Sequence, residues 1–102
     1  MKLTYDNEVL RQFCRERGVA RLDLFGSGLR DDFRSDSDVD LLCLLRPDIR
    51  CTLLGWADMQ LKLTEIFGRS VDLVSRPAIE KSRNPYRRNA ILSTARPIYV
   101  EG

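Results

Sequence analysis

Three aspartates in this chain stand alone between aliphatic neighbours, and that placement constrains the fold more than anything else in the sequence. Two lie one residue apart in Asp38-Val39-Asp40-Leu41-Leu42, ten residues after the turn-like Leu24-Phe25-Gly26-Ser27. The third is in Val71-Asp72-Leu73-Val74. Aspartate is disfavoured in strands and is rarely buried without a partner. Side chains alternate along a strand, so Asp38 and Asp40 share one face while Val39 and Leu41 take the other. Their Cα atoms would lie about 6.6 Å apart at a rise of ~3.3 Å per residue. If Asp72 occupies the neighbouring strand, three carboxylates meet on one face. Like charges at ~4 Å repel by about 4 kcal/mol at an effective dielectric near 20. Such a cluster holds either a proton or a cation. The chain contains no histidine, so an all-carboxylate site points to magnesium or manganese rather than zinc.

The periodicity of the rest supplies a frame for these acids. Val9, Leu10, Phe13 and Cys14 recur at helical spacing within a segment from about Asp6, a candidate N-cap, to Arg17, with Gly18 as its stop. Val19 to Phe25 reads as a strand, broken by Gly26-Ser27-Gly28, and Leu29 to Asp32 as one short helical turn. Val39 to Leu45 is the next strand. Thr52 to Phe67 is the longest helix, with Leu53, Leu54, Ala57, Leu61 and Ile66 available for its buried side. Val71 to Ser75 is a third strand, followed by a short helix near Ile79. Pro85 opens another helix through about Thr94. Ile98 to Val100 is a last strand, which Pro97 forces either to an edge or to begin there. The expected fold is α/β (α+β): a small mixed sheet with helices packed mainly on one face, and parallel pairing of the second and third strands through the long helix. At 102 residues the chain is expected to be one domain, residues 1–102.

Composition removes several classes. No apolar run approaches the ~18 residues of a membrane span, and Met1-Lys2-Leu3-Thr4-Tyr5-Asp6 lacks the core of a signal peptide. Cys14, Cys43 and Cys51 form an odd set without a C-x-x-C pair and read as reduced thiols, two of them in apolar patterns. These features predict a cytoplasmic protein. Charge is unevenly spread although the net is only +2. Arg76, Lys81, Arg83, Arg87, Arg88 and Arg96 are opposed in their segment by Glu80 alone, whereas Asp31, Asp32, Asp36, Asp38 and Asp40 make the motif region acidic. The basic tail reads either as a solvated helix face or as a surface for nucleotide phosphates, RNA or an acidic partner. Asp23, between Leu22 and Leu24, reads as the partner of a tail arginine. Trp56 and Met59 read as core or interface, and Tyr5, Tyr86 and Tyr99 as packing residues.

Leu24-Phe25-Gly26-Ser27-Gly28-Leu29-Arg30, followed without a gap by Asp36-Ser37-Asp38-Val39-Asp40-Leu41, resembles the signature of the minimal nucleotidyltransferases of the polymerase-beta-like superfamily. The resemblance extends to Asp72 and to the segment from Ala90 to Tyr99. It implies that Asp38, Asp40 and Asp72 are catalytic and metal-binding, and that Gly26, Ser27 and Arg30 bind nucleotide. Gly26 would admit a phosphate close to backbone, Ser27 would supply a hydroxyl and an N–H, and Arg30 a positive contact. Magnesium, or manganese, would be the cofactor and ATP the substrate. Where relatives often read Gly-Ser-x-Ala-Arg-Gly, this chain has Leu29 and Asp31, so an extra negative charge accompanies the loop. Stand-alone proteins of this kind resemble antitoxins that adenylylate a tyrosine of a HEPN-family ribonuclease toxin. The resemblance therefore implies a HEPN toxin as partner, with direct nucleic-acid binding not favoured and the oligomeric state, homo- or hetero-, left open. Neutralisation by contact alone, and transfer to a small molecule or an RNA end, are the alternatives it leaves.

Overall fold

The computed structural model describes residues 4–26 and 38–101. Within them the elements are helix α1 (Asn7–Arg17), strands β1 (Val19–Phe25) and β2 (Val39–Leu45), helix α2 (Leu53–Phe67), strand β3 (Val71–Ser75), helices α3 (Arg76–Glu80) and α4 (Pro85–Thr94), and strand β4 (Arg96–Val100). The helical turn expected at Leu29 to Asp32, with Ser27 and Arg30, lies outside the described residues.

Local chemistry sets these boundaries. The carboxylate of Asp6 accepts the N–H groups of Glu8 and Val9 at 3.0 and 3.2 Å, two donors that the first helical turn cannot pair itself. Gly18 ends α1 at φ +72°, with its N–H returning to the Cys14 carbonyl. Thr52 caps α2 through its hydroxyl, which accepts from the Gly55 N–H at 3.0 Å. Asn84 caps α4 through its amide oxygen, which accepts from the Tyr86 and Arg87 N–H groups, and Pro85 follows where an N–H has no helical partner in any case.

The strands form one mixed sheet in the order β3-β2-β1-β4. β1 is antiparallel to both β2 and β4, and β2 is parallel to β3 across the α2 connection. β4 begins at Arg96, earlier than the sequence suggested, and Pro97 lies on an edge strand opposite a register shift in β1.

Alternation divides the sheet residues between two cores. Leu22, Leu24, Val39, Leu41, Cys43, Val71 and Leu73 face α1 and α2, where they meet Leu10, Phe13, Cys14, Met59, Leu63 and Phe67. The opposite face carries a smaller cluster of Phe25, Leu42, Ile79 and Ile91 under α3 and α4. Helix packing is thus mainly on the first face, and the second face is the one that receives the acids.

Helix α2 is rotated relative to the expectation. Leu53 and Leu54 are 90% and 85% exposed, Leu61 is 64% exposed and Ala57 is exposed too, while Met59, Leu63 and Phe67 are buried. Of the expected set, Ile66 alone packs against the core. Two contacts fix this rotation. The Trp56 indole N–H donates to the Leu73 carbonyl at 3.0 Å, and Arg17 of α1 pairs with Asp58. Tyr5 tilts against Phe67 at 4.8 Å and Tyr99 packs at the core edge, but Tyr86, expected to pack, is 85% exposed. Cys14 and Cys43 are buried free thiols whose pKa burial pushes up to about 12, whereas Cys51 is exposed.

Candidate active site

The second face of the sheet gathers the acids at one end. Asp40 of β2 and Asp72 of β3 are direct partners in the parallel pairing, and Asp40 is also paired with Phe25, the last residue of β1. Asp38 stands two residues before Asp40, on the same side by strand alternation. Gly26 follows Phe25 at φ +73° and abuts the Asp40 carboxylate closely. A Cβ at Gly26 would fall 2.5 Å from Asp40 Oδ2. The glycine therefore does two things here: it turns the chain through a left-handed conformation and leaves room for a carboxylate against the backbone.

Asp40 is half-buried and its neighbours are negative. Its carboxyl is held above the usual carboxylate range, by burial first, then by the charge of Asp72 and then by that of Asp38. Asp72 and Asp38 are thus close enough to oppose the ionisation of Asp40. Among the described residues, however, no three acid, cysteine or histidine side chains are drawn together into a ready-made metal cage.

An open cleft of about 360 Å³ lies over this end of the sheet. Phe25, Gly26, Asp40, Asp72 and Val74 line it from the sheet, and Arg87, Ala90, Ile91 and Thr94 line it from α4. Its size falls in the ~300–1,000 Å³ range of small-molecule sites. The α4 lining went unread in the sequence. Its signal is the i, i+3, i+4, i+7 spacing of Arg87, Ala90, Ile91 and Thr94, which puts them on one helical face.

Asp23 belongs to a different arrangement on the same face. It is fully buried, receives Arg21 through two hydrogen bonds at 2.7 and 3.0 Å, and lies 3.5 Å from Arg76. The tail arginine expected as its partner is present, but the closer partner is Arg21 of β1 itself. Both oxygens of Asp23 accept from this fork within β1, and the longer ion pair with Arg76 is what links the start of α3 to the sheet.

An antiparallel–parallel sheet of this order, with paired acids beside a glycine turn and helices on both faces, is the fold of a nucleotidyl-transferring domain. The chain belongs to the nucleotidyltransferase domain family, whose model matches residues 7–98. A solved minimal nucleotidyltransferase is 35% identical, aligns over 89% of this chain and 87% of its own, and superimposes with a TM-score of 0.66. A toxin–antitoxin complex with AMP-PNP shares the fold at 15% identity, with a TM-score of 0.69 over 94% of this chain and 74% of its own. The complex of a tri-AMPylated Shewanella oneidensis HEPN toxin with its MNT antitoxin also shares it, at 16% identity and a TM-score of 0.61 over 93% of this chain and 70% of its own. No curated protein sequence matches the chain. No described helix is long and apolar enough to cross a membrane.

Proposed function

We propose that the protein transfers AMP from ATP to a tyrosine hydroxyl of a HEPN-type toxin and so acts as its antitoxin, residues 1–102 working as one nucleotidyltransferase domain in the cytoplasm. The observation that carries this reading is the placement of Asp40 against Asp72 in an open cleft floored by Gly26. The structural likeness to an AMP-PNP complex and to an antitoxin bound to an AMPylated toxin supports the nucleotide and the acceptor.

The donor set suits a hard divalent ion. Its oxygens are carboxylates, and the Asp40 carboxyl, raised by burial first and then by the charges of Asp72 and Asp38, is one whose ionised form a cation would stabilise. Asp38, Asp40 and Asp72 would hold magnesium, with manganese as a substitute, and the ion would supply charge neutralisation along the phosphate chain. The chain's own residues do the rest. Asp72, at the more exposed side, accepts the proton of the acceptor hydroxyl as its oxygen bonds to the α-phosphorus. The bond from that phosphorus to the bridging oxygen breaks in line, and pyrophosphate leaves. Gly26, with Ser27 and Arg30 of the sequence that follows it, orients the phosphates. The cleft is open, so a macromolecular acceptor must bring its own binding surface and position the hydroxyl.

Neutralisation by contact alone is the second reading, and it is favoured by the extra negative charge that Asp31 adds to the segment after Gly26. Intact mass of the co-purified partner, before and after incubation with ATP and magnesium, separates the two. Added AMP units support transfer. Stable association with no added mass supports contact alone.

A further inference from the structure

The cleft has two chemically opposed walls. The sheet contributes Asp40 and Asp72, and α4 contributes Arg87 as the cation of the lining. Two other arginines of the same basic segment, Arg88 and Arg76, are engaged elsewhere. Arg88 donates to the Ser82 carbonyl at 2.9 Å, which fixes it to the α3–α4 connection. Arg76 pairs with Asp23 and, at 3.6 Å, with Glu80. Arg87 is exposed and forms no ion pair with another described residue, although two acids line the same cleft.

An occupant of this space has to satisfy both walls. It must be anionic to meet Arg87, and it must share a cation to meet Asp40 and Asp72. A neutral acceptor hydroxyl does neither. A nucleoside triphosphate carrying a divalent ion does both, because the ion sits on the acid side while phosphate oxygens without metal remain for the guanidinium. Helical spacing keeps Arg87 on the same face as Ala90, Ile91 and Thr94, so the guanidinium starts from the wall of the cleft.

We infer that Arg87 is a phosphate-binding residue of this cleft, gripping the nucleotide's phosphate chain from α4 on the side opposite the carboxylates. The inference rests on the nucleotidyltransferase reading above and adds a nucleotide contact from the far end of the chain. Part of the basic tail is thereby assigned to the substrate rather than to the partner protein.

The test is equilibrium binding of ATP with magnesium, and of adenosine, by calorimetry without any partner protein present. Arg87→Ala should weaken ATP binding about tenfold or more, as expected for loss of a charge-assisted hydrogen bond. Adenosine binding should stay within about threefold of the parent, since it carries no phosphate. Arg87→Lys should recover part of the loss, and Arg83→Ala, outside the cleft, should bind ATP like the parent. Because Arg87 is exposed, its variants should keep the parent's melting temperature. Unchanged ATP affinity in Arg87→Ala would overturn the inference, and if partner association fell instead, Arg87 would belong to the docking surface. Equal losses for ATP and adenosine would also overturn it, because they would mean a role in cleft shape alone. A parent that binds no ATP at all would sink the nucleotidyltransferase reading and this inference with it. A parent that binds ATP while Arg87→Ala binds it equally well would sink the inference only.

Discussion

Asp40 and Asp72 face each other across the parallel β2–β3 pair, and the charge of Asp72 is one cause of the raised pKa of Asp40. The folded protein thus holds the Asp40 proton more tightly than the unfolded chain does. For an acid with a raised folded pKa, stability is highest below the unfolded value and falls as pH climbs from there through the folded value. Ionised Asp40 therefore costs the fold stability at neutral pH in metal-free buffer. Asp40→Asn should melt higher than the parent under those conditions. The gain should shrink to nothing at a pH well below the ordinary carboxylate range, where both states are protonated. Melts across this pH range in chelator would show it, and a lower melting temperature for Asp40→Asn at neutral pH would contradict the charge conflict.

Gly26 is the steric counterpart of that carboxylate. An alanine there would place its Cβ 2.5 Å from Asp40 Oδ2 at a φ of +73°. The left-handed conformation alone should cost roughly 1–2 kcal/mol, and the carboxylate must shift as well. A displacement near 1 Å in a catalytic group can cost ~10²-fold in rate. Gly26→Ala should therefore lose much more transfer than stability, measured by labelled-AMP incorporation beside urea unfolding. Parent-like turnover would mean that the close approach has no catalytic use.

Asp23 makes a structural prediction on the same face. Removing Arg21 leaves a fully buried carboxylate with Arg76, at 3.5 Å, as its remaining ion-pair partner among the described residues. Losing one member of a buried pair costs ~3–5 kcal/mol. Arg21 is 36% exposed and Arg76 remains, so Arg21→Ala should cost less, about 2 kcal/mol. In an Asp23→Asn background the same change should cost under about 0.5 kcal/mol. Urea unfolding of the four proteins in this cycle measures the difference, and equal losses in both backgrounds would show that Arg21 acts through packing instead.

Much of this molecule is legible in its sequence, for identifiable reasons. Asp6, Gly18, Thr52 and Pro85 punctuate the helices through local bonds, and local bonds are what a sequence states directly. The β2 and β3 acids could be placed on one face because strand alternation leaves no choice once the neighbours are aliphatic. The buried face of α2 was misread because leucines occur around most of its circumference. Leu53, Leu54 and Leu61 compete with Met59 and Leu63, and the decision comes from the distant Leu73 carbonyl through Trp56. The tail arginine expected beside Asp23 is there, but its second and closer partner went unread. Arg76 was visible in the basic tail, but Arg21 is two residues away on the same strand face, where a bidentate fork is closer. The α4 wall of the cleft is a tertiary fact. Nothing in the spacing of Arg87, Ala90, Ile91 and Thr94 says that this face looks onto Asp40.

If the Asp40–Asp72 pair drives nucleotide transfer to a protein acceptor, intact mass spectrometry of the co-purified partner shows it most directly. After incubation with ATP and magnesium, the partner should gain whole AMP units in the presence of the parent protein. It should gain none with Asp40→Asn or Asp72→Asn, although both variants remain folded and associated. Equal AMP incorporation by the parent and Asp40→Asn, or a tightly bound partner that never gains mass, would contradict the account.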